Sequence, residues 1–431
     1  MTSDAHPKEC YVYIVLPGET EFITAARLRI EKTRDSEPIG ELVYGKKYLA
    51  LPNAVEIDPI ELKLSDQKYE TARMNGMFGA LRDAMPDYWG RRVIEKHLGK
   101  TGLDEFDYLM LGADDRAGAL GFGRNATPPA PKREYNQTLD LERLQTKAEA
   151  ILNDENLEAD AEDEQIQELM LDGTSMGGAR PKTVVENEDS LWIAKFTTPH
   201  DNWNHPKVEH AFLTLARACR LSTADSKLTT VAGKDVLLVR RFDRDKSETG
   251  YRRHRMVSAL TLLKSKKKPA AKSGWSYLVL ADEIRRVSSE PEADLKELFS
   301  RIIFNACVSN LDDHPRNHAV LAKDQHWRLS PAYDLTPMPS IAIDNRDLAM
   351  TCGLHGRAAK IANIVSGHGR FLLAKDEAEK IARDIKTIVG SEWDAHLRRA
   401  GVSDKDCAAI ASAKLYAGLD YPIEGGGTHR D

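Results

Sequence analysis

The stretch from Asn310 to Asp334 gathers polar side chains whose types and spacing suit phosphoryl transfer. Asn310, Asp312, Asp313, His314 and Asn317 crowd its first half, directly after an apolar run at 302–308 that reads as buried. Two strand-like runs, 318–322 and 326–329, follow across the turn-forming Lys323, Asp324 and Gln325, and another carboxylate, Asp334, comes after them. Phosphoryl transfer needs a carboxylate to orient the attacking hydroxyl and accept its proton. It also needs oxygen ligands on Mg²⁺ to offset the charge on the transferring group. In a protein-kinase catalytic loop the base Asp precedes a metal-binding Asn by five residues, and a second metal-binding Asp arrives after a hairpin. Asp312, Asn317 and Asp334 have that spacing. His314 completes an Asp-x-His-x-x-Asn pattern similar to that of phosphoinositide-type and small-molecule kinases. An isolated Asp and Asn in a polar loop would merely turn the chain; the second Asp gives the pattern its chemistry.

A second group of residues suits an anion. Between Asp172 and Lys182, Gly173, Gly177 and Gly178 allow backbone N–H groups to point at a phosphate, with Ser175 among them and Arg180 and Lys182 supplying positive charge. The pattern is neither a Walker A loop nor the usual kinase Gly-x-Gly-x-x-Gly. Strands at 183–186 and 191–196 follow, and Lys195 shares a face with Leu191 and Ile193, where a buried residue is expected. A lysine there calls for a phosphate and a carboxylate. The helix expected over 205–221, with Pro206 in its first turn, offers Glu209. Glu209 fits equally well as compensation of the helix dipole. The apolar strand 236–239 running into Arg240–Arg244 is a candidate hinge whose backbone would hold adenine.

The elements that must position these groups read as an α+β chain. Residues 11–16, 22–23, 40–44 and 60–64 alternate as short strands of a mostly antiparallel unit. Residues 77–98 carry helical spacing, divided by Pro86, and another helical turn covers 106–111. The loop 114–121 reads as packing rather than chemistry. Residues 127–137 form a Pro-rich linker, followed by a helix from Leu139 and an acidic run at 154–168, which reads as solvated. The basic residues between 252 and 272 read as a mobile surface loop. Helices are expected at 278–287, 294–310, 376–389, 392–400 and 404–417. The domains expected are 1–126, a β-rich amino-terminal subdomain; 127–170, linker and acidic helix; 171–245, the nucleotide-binding small-lobe segment; 246–424, the helical catalytic lobe; and 425–431, a disordered tail.

Composition bounds the rest. At 431 residues the chain exceeds one hydrophobic core. A net charge of −6 argues against wrapping nucleic acid through a global field. No apolar run approaches the roughly 20 residues that span a bilayer, and residues 1–9 lack a signal-peptide core, so the cytosol is expected and no membrane partner is. The five cysteines are scattered with no Cys-x-x-Cys pair, which supports neither a disulfide framework nor a zinc site.

Taken together, the motifs resemble the HipA family of bacterial toxin kinases, partners of HipB-type antitoxins. The residues that carry the resemblance are Gly-Thr-Ser-Met-Gly-Gly-Ala-Arg-Pro-Lys at 173–182, Arg-Phe-Asp-Arg at 241–244, Asn-Leu-Asp-Asp-His-Pro-Arg-Asn at 310–317 and Leu-Ser-Pro-Ala-Tyr-Asp at 329–334. Phe78–Arg92 adds to them in the amino-terminal part. The resemblance implies a two-lobed kinase phosphorylating Ser or Thr of proteins with ATP and Mg²⁺, such as an aminoacyl-tRNA synthetase. It also implies a HipB-like helix-turn-helix antitoxin as partner, through which DNA would be met mainly indirectly. Carried over by motif, Asp312 is the base with His314 beside it, Asn317 and Asp334 are the metal ligands, and Lys195 binds phosphate. Nucleotide is met by Ser175, Gly177, Gly178, Lys182 and Glu209, by the backbone from Arg240 to Phe242, by Asp243 near the ribose, and by Tyr333. Ser175 matches the family's autophosphorylation serine, whose added charge would expel the glycine loop and silence the enzyme. Gly177, Arg180, Pro181 and Asp313 depart from the pattern of the best-known member. Two alternatives stay open: a kinase for a small molecule or lipid headgroup, and a non-catalytic co-repressor scaffold on a DNA-binding antitoxin.

Overall fold

The computed structural model of the chain describes residues 7–31, 37–153, 180–188, 190–264 and 274–423. It divides into two compact units. The first comprises Met1–His200, Ser226–Lys268 and Ala319–Ser330; the second comprises Asp201–Asp225, Pro269–His318 and Pro331–Asp431.

In the first unit, alternating apolar runs give an antiparallel sheet of β1 (Lys8–Val15), β2 (Phe22–Glu31), β3 (Ile39–Tyr44), β4 (Tyr69–Thr71) and β5 (Leu120–Gly123), in the order β4-β3-β2-β1-β5. Residues 60–64, expected as a strand, are not one. The buried Asp58 carboxylate accepts from the backbone N–H of Ile60 at 2.7 Å and Glu61 at 2.9 Å, and such a side-chain turn competes with ladder bonding. Pro86 does separate two helices, Gly79–Asp83 and Tyr88–Leu98, and Asp87 caps the second by accepting from the Gly90 N–H at 2.7 Å.

The second sheet of this unit contains β6 (Asn136–Gln137), β7 (Lys182–Asn187), β8 (Ser190–Phe196), β9 (Ser226–Val231) and β10 (Lys234–Arg240), in the order β6-β7-β8-β10-β9. One face carries Val185, Ala194, Phe196, Val236 and Leu238 against Trp89, Val93, Leu144 and Ala148 of helices Tyr88–Leu98 and Leu141–Leu152. The other face sets Val184 and Leu191 against Tyr135 and Tyr251. Burial of such side chains contributes roughly 1.5–3 kcal/mol each, which holds β8, the strand bearing Lys195, from both sides.

The expectation of a mobile loop from residue 252 fails at its start. Residues 244–258 form β11 (Arg244–Ser247), β12 (Gly250–Arg253) and β13 (Arg255–Ser258), and β13 joins the expected hairpin of β14 (Ala319–Ala322) and β15 (Trp327–Leu329). Two of the arginines are interior. Arg253 pairs with Asp114 at 2.8 Å, and Arg255 pairs with Glu56 at 2.8 Å while lying over the Trp327 ring. Residues 265–273 lie outside the described residues, as do the acidic run and the tail from 425.

The second unit is mainly helical. Helices His205–Ala218 and Pro291–Cys307 both pack on Lys375–Arg399, and Pro291–Cys307 also packs on Tyr277–Val287. Phe212 meets Trp393 edge-on at 4.9 Å and Phe299 meets Phe371 at 5.3 Å. The two helices expected over 376–400 are one helix of 25 residues. Gly390 sits inside it, where the cost of glycine, about 1 kcal/mol, is too small to break a packed helix.

Candidate functional site

In the second unit, the polar loop is set by what precedes it. Ile302, Ile303, Phe304, Ala306, Cys307 and Val308 are all fully buried, so the helix Pro291–Cys307 ends deep in the core and delivers the loop from there. Ser309 then takes a left-handed φ of +51° and the Asn310 N–H donates to the Asn305 carbonyl at 2.8 Å. The next two residues face opposite ways. Asp312 is exposed, whereas Asp313 is 1% exposed. One carboxylate oxygen of Asp313 accepts from three donors: the Tyr277 hydroxyl, Asn305 Nδ2 at 2.8 Å and His318 Nε2 at 2.7 Å. Asn310 Nδ2 in turn donates to Asn305 Oδ1 at 3.1 Å. Burial alone would raise the Asp313 pKa, but His318 and the hydroxyl of Tyr277 outweigh it and hold the carboxyl below its ordinary range.

This clamp fixes both ends of the segment bearing Asp312, His314 and Asn317. His314 sits edge-on to Trp275 with ring centres 6.4 Å apart. Asn317, 7% exposed, ends a short 3₁₀ turn, and its N–H donates to the His314 carbonyl at 2.9 Å. The Asp334 segment is tethered to the same loop. Ala332 exchanges backbone hydrogen bonds with Ser222 at 2.8 Å and Ala224 at 2.9 Å, and the Tyr333 hydroxyl donates to the Arg316 carbonyl at 2.7 Å. Asp334 itself has φ +59°, a conformation that Asp tolerates better than most residues. Downstream, Arg346, 5% exposed, donates to the Ser309 hydroxyl at 2.5 Å and to the carbonyls of Ala342 and Ser340, both at 2.9 Å. Glu209 lies past the first turn of helix His205–Ala218 and is 4% exposed. The first-turn dipole role therefore does not apply to it.

In the first unit, Lys195 is half-buried on β8, on the face of Leu191 and Ile193 as expected, with Lys182 of β7 and Leu237 of β10 as cross-strand neighbours. Arg240 is exposed at the end of β10 and Phe242 is half-buried, and the Arg241 N–H donates to the Leu191 carbonyl at 2.9 Å. Two of the expected nucleotide ligands have interior partners. The Lys182 ammonium lies 2.9 Å from the Asp87 carboxylate, with side chains 2% and 3% exposed. Asp243 is enclosed by guanidinium groups: Arg241 binds both its oxygens at 2.9 and 2.8 Å, Arg244 reaches it at 2.8 Å and the Gly118 N–H at 2.9 Å. Arg241 also pairs with Asp115. Burial opposes the charge of Asp243, but these two guanidinium groups outweigh burial and hold its pKa far below the ordinary range. Burial pushes the Arg244 guanidinium down to about 10. Ser175, Gly177 and Gly178 lie outside the described residues.

Among the described residues no group of three or more His, Cys, Asp or Glu side chains is disposed to hold a metal. The expected metal ligands, Asn317 and Asp334, offer an amide oxygen and a carboxylate, hard donors of the kind Mg²⁺ takes. The sequence placed Asp313 in the polar cluster without its holding role and Asp115 in a packing loop, and gave no role to Tyr277 and Asn305, which hold the loop, or to Asp87, which neutralises a buried lysine. The only signal in the sequence was their residue type.

Comparison with known proteins decides the family. The HipA-like C-terminal domain matches residues 174–393 and the HipA N-terminal domain matches residues 29–123. The chain belongs to the HipA family. A Sinorhizobium fredii protein named "Putative kinase Y4mE" is 31% identical over 174 residues, covering 37% of this chain and 41% of that protein. A Haemophilus influenzae protein also named as a kinase is 27% identical over 189 residues, covering 39% and 55%. The aligned regions thus span about half the length of these relatives or less. The HipA of Shewanella oneidensis MR-1, solved in complex with HipB and operator DNA, is similar in fold, with a TM-score of 0.68, 16% identity and coverage of 94% of this chain and 96% of that one. The α+β, HipA-like fold expected from the sequence is the fold observed.

Proposed function

We propose that this HipA-family protein is an ATP- and Mg²⁺-dependent kinase for Ser or Thr of proteins. It would act as the toxin partner of a HipB-like helix-turn-helix antitoxin, meet DNA mainly through that antitoxin, and take a translation protein such as an aminoacyl-tRNA synthetase as substrate. The observation that carries this reading is the Asp313 clamp, which spends three buried donors on fixing one loop while leaving Asp312 exposed at its tip. A stability element has no need of such an arrangement at an exposed carboxylate.

In this reading Asp312 accepts the proton of the incoming hydroxyl, a role worth about 10²–10⁴-fold in rate. Asn317 and Asp334 hold the metal, which supplies positive charge to offset that of the phosphates. Lys195 neutralises nucleotide phosphates, and the backbone from Arg240 to Phe242 meets adenine. The interior partners of Lys182 and Asp243 remove both from the ligand set proposed here. Ser175 is retained as the autophosphorylation site, where about −1.5 to −2 added charges would oppose nucleotide phosphates. Incubating the purified chain and its Asp312→Asn variant with a bacterial lysate and [γ-³²P]ATP tests the reading. Label on lysate protein from the wild type alone supports it, and equal labelling by the variant removes Asp312 from the chemistry.

A further inference from the structure

In the second unit, the segment that follows Asp334 carries Met338, Ile341 and Ile343, which are 45%, 100% and 64% exposed. A single exposed apolar side chain is ordinary, but large ones gathered on one short segment mark a surface that meets something. The backbone beneath them is anchored. Pro337 and Pro339 flank Met338 and fix φ on either side of it, and the Met338 N–H donates to the Ser309 carbonyl at 2.8 Å. The interior Arg346 donates at 2.9 Å to each of the carbonyls of Ser340 and Ala342, which flank Ile341, and at 2.5 Å to the Ser309 hydroxyl. That hydroxyl donates in turn to the Ala413 carbonyl at 2.9 Å. Further along, the Gly418 N–H donates to the Ile343 carbonyl at 2.9 Å, and Gly418 lies so close that a Cβ there would meet the Asp344 carbonyl oxygen at 1.9 Å. Among the described residues the hydrogen-bond partners of the Arg346 guanidinium are all neutral oxygens, so it fixes a backbone rather than balancing a carboxylate. Held in this way, the segment keeps three large apolar side chains in water.

What covers them follows from where the anchors lead. Ser309, bonded both to Met338 and to Arg346, opens the polar loop, and the exposed Asp312 comes three residues later. Chain geometry therefore keeps Ile341 within about 20 Å of Asp312, a span of about six extended residues. A protein segment whose hydroxyl reaches Asp312 has its own neighbouring residues within reach of this patch. We propose that Met338, Ile341 and Ile343 receive the acceptor segment of the protein substrate, and that the segment carries a large aliphatic or aromatic side chain within about eight residues of the Ser or Thr that is phosphorylated. The inference rests on the assignment of Asp312 as proton acceptor and deepens it, because it gives the substrate a chemistry beyond its hydroxyl.

The test uses the full chain with a bacterial lysate and [γ-³²P]ATP, comparing wild type, Ile341→Ser/Ile343→Ser and the conservative Ile341→Leu/Ile343→Leu across a range of lysate concentrations. Loss of a buried aliphatic contact corresponds to at least about a ten-fold change in affinity. The serine variant is therefore expected to label lysate protein at least about ten-fold more slowly at limiting lysate and to approach wild type as lysate is raised, with KM for ATP and the melting transition unchanged. The leucine variant should label like wild type, and phosphosites mapped by mass spectrometry should share a large apolar residue at a common offset. Wild-type rates from the serine variant at limiting lysate overturn the proposal and leave the patch to another partner. A wild-type dimer that the serine variant disperses, with labelling unchanged, assigns it to a second copy. A loss of labelling that added lysate does not recover, or one matched by lost ATP binding or a lowered melting transition, makes the segment structural and overturns it too, as do phosphosites with no common apolar offset. A wild type that labels no protein defeats the kinase reading itself, and is separable from each of these results.

Discussion

Replacing Asp313 tests whether the loop carrying Asp312 and Asn317 is held in the way described. Three donors, Tyr277, Asn305 and His318, converge on one of its carboxylate oxygens, all of them buried. In Asp313→Ala all three lose their acceptor. Breaking a buried charged pair by removing one member costs roughly 3–5 kcal/mol, a large part of the 5–15 kcal/mol typical of a domain, and lowers the melting transition by roughly 6–20 °C. Asp313→Asn keeps the shape and one acceptor oxygen but gives up the charge. Hydrogen bonds to a charged group are worth about 1.5–3 kcal/mol and neutral ones about 0.5–1.5, so a loss of about 1–1.5 kcal/mol per bond, and at most about 3–4.5 kcal/mol over the three, is expected. The sign of the pH effect follows from the lowered pKa. Asp313 contributes stability above its unfolded pKa of about 3.8, and that contribution is lost as pH falls below it. Urea denaturation at pH 7 and pH 3.5 should therefore separate wild type from Asp313→Asn more at the higher pH. In ³²P transfer, kcat should fall more than KM for ATP changes, because the proton acceptor and the metal ligands loosen together. An Asp313→Ala protein within about 0.5 kcal/mol of wild type, with kcat unchanged, would refute the clamp.

Burial holds the Asp58 carboxyl at about 6; this raised pKa makes ionised Asp58 costly by about 3 kcal/mol, so its contribution to stability declines as pH rises from about 4 through 6. Asp58→Asn should flatten that part of the urea-stability profile, and an unchanged slope would count against it. Arg241→Met leaves Asp115 and Asp243 without their shared guanidinium and should destabilise the first unit by about 3–5 kcal/mol, visible as early protease cleavage; unaltered resistance would contradict the network. Tyr333→Phe removes the tether to the Arg316 carbonyl and should cost about 0.5–1.5 kcal/mol while raising the Mg²⁺ concentration needed for transfer; an unchanged Mg²⁺ requirement would show that the tether does not position Asp334.

The parts of this architecture governed by short-range rules were readable in the sequence. Pro86 divides its helix, Pro206 opens another, and the hairpin after Asn317 forms around Lys323–Gln325 because those residues favour turns. The five-residue spacing of Asp312 and Asn317 and the later Asp334 marked out the loop. What holds the loop was not readable, since Tyr277 lies 36 residues before Asp313 and nothing local links them. The buried arginines misled for a related reason. Arg253 and Arg255 look like a solvated charge run until Asp114 and Glu56, more than a hundred residues away, are brought to them. At 60–64, apolar alternation spoke for a strand, but an Asp58 side chain capturing two backbone N–H groups won locally.

Transfer of ³²P from ATP to protein across a Mg²⁺ titration, run with wild type and Asp334→Asn side by side, tests the kinase assignment most directly. The account predicts label that rises with Mg²⁺ for the wild type and none above background for the variant at any concentration. Labelling by the variant equal to that of the wild type, or wild-type labelling indifferent to Mg²⁺, would contradict it.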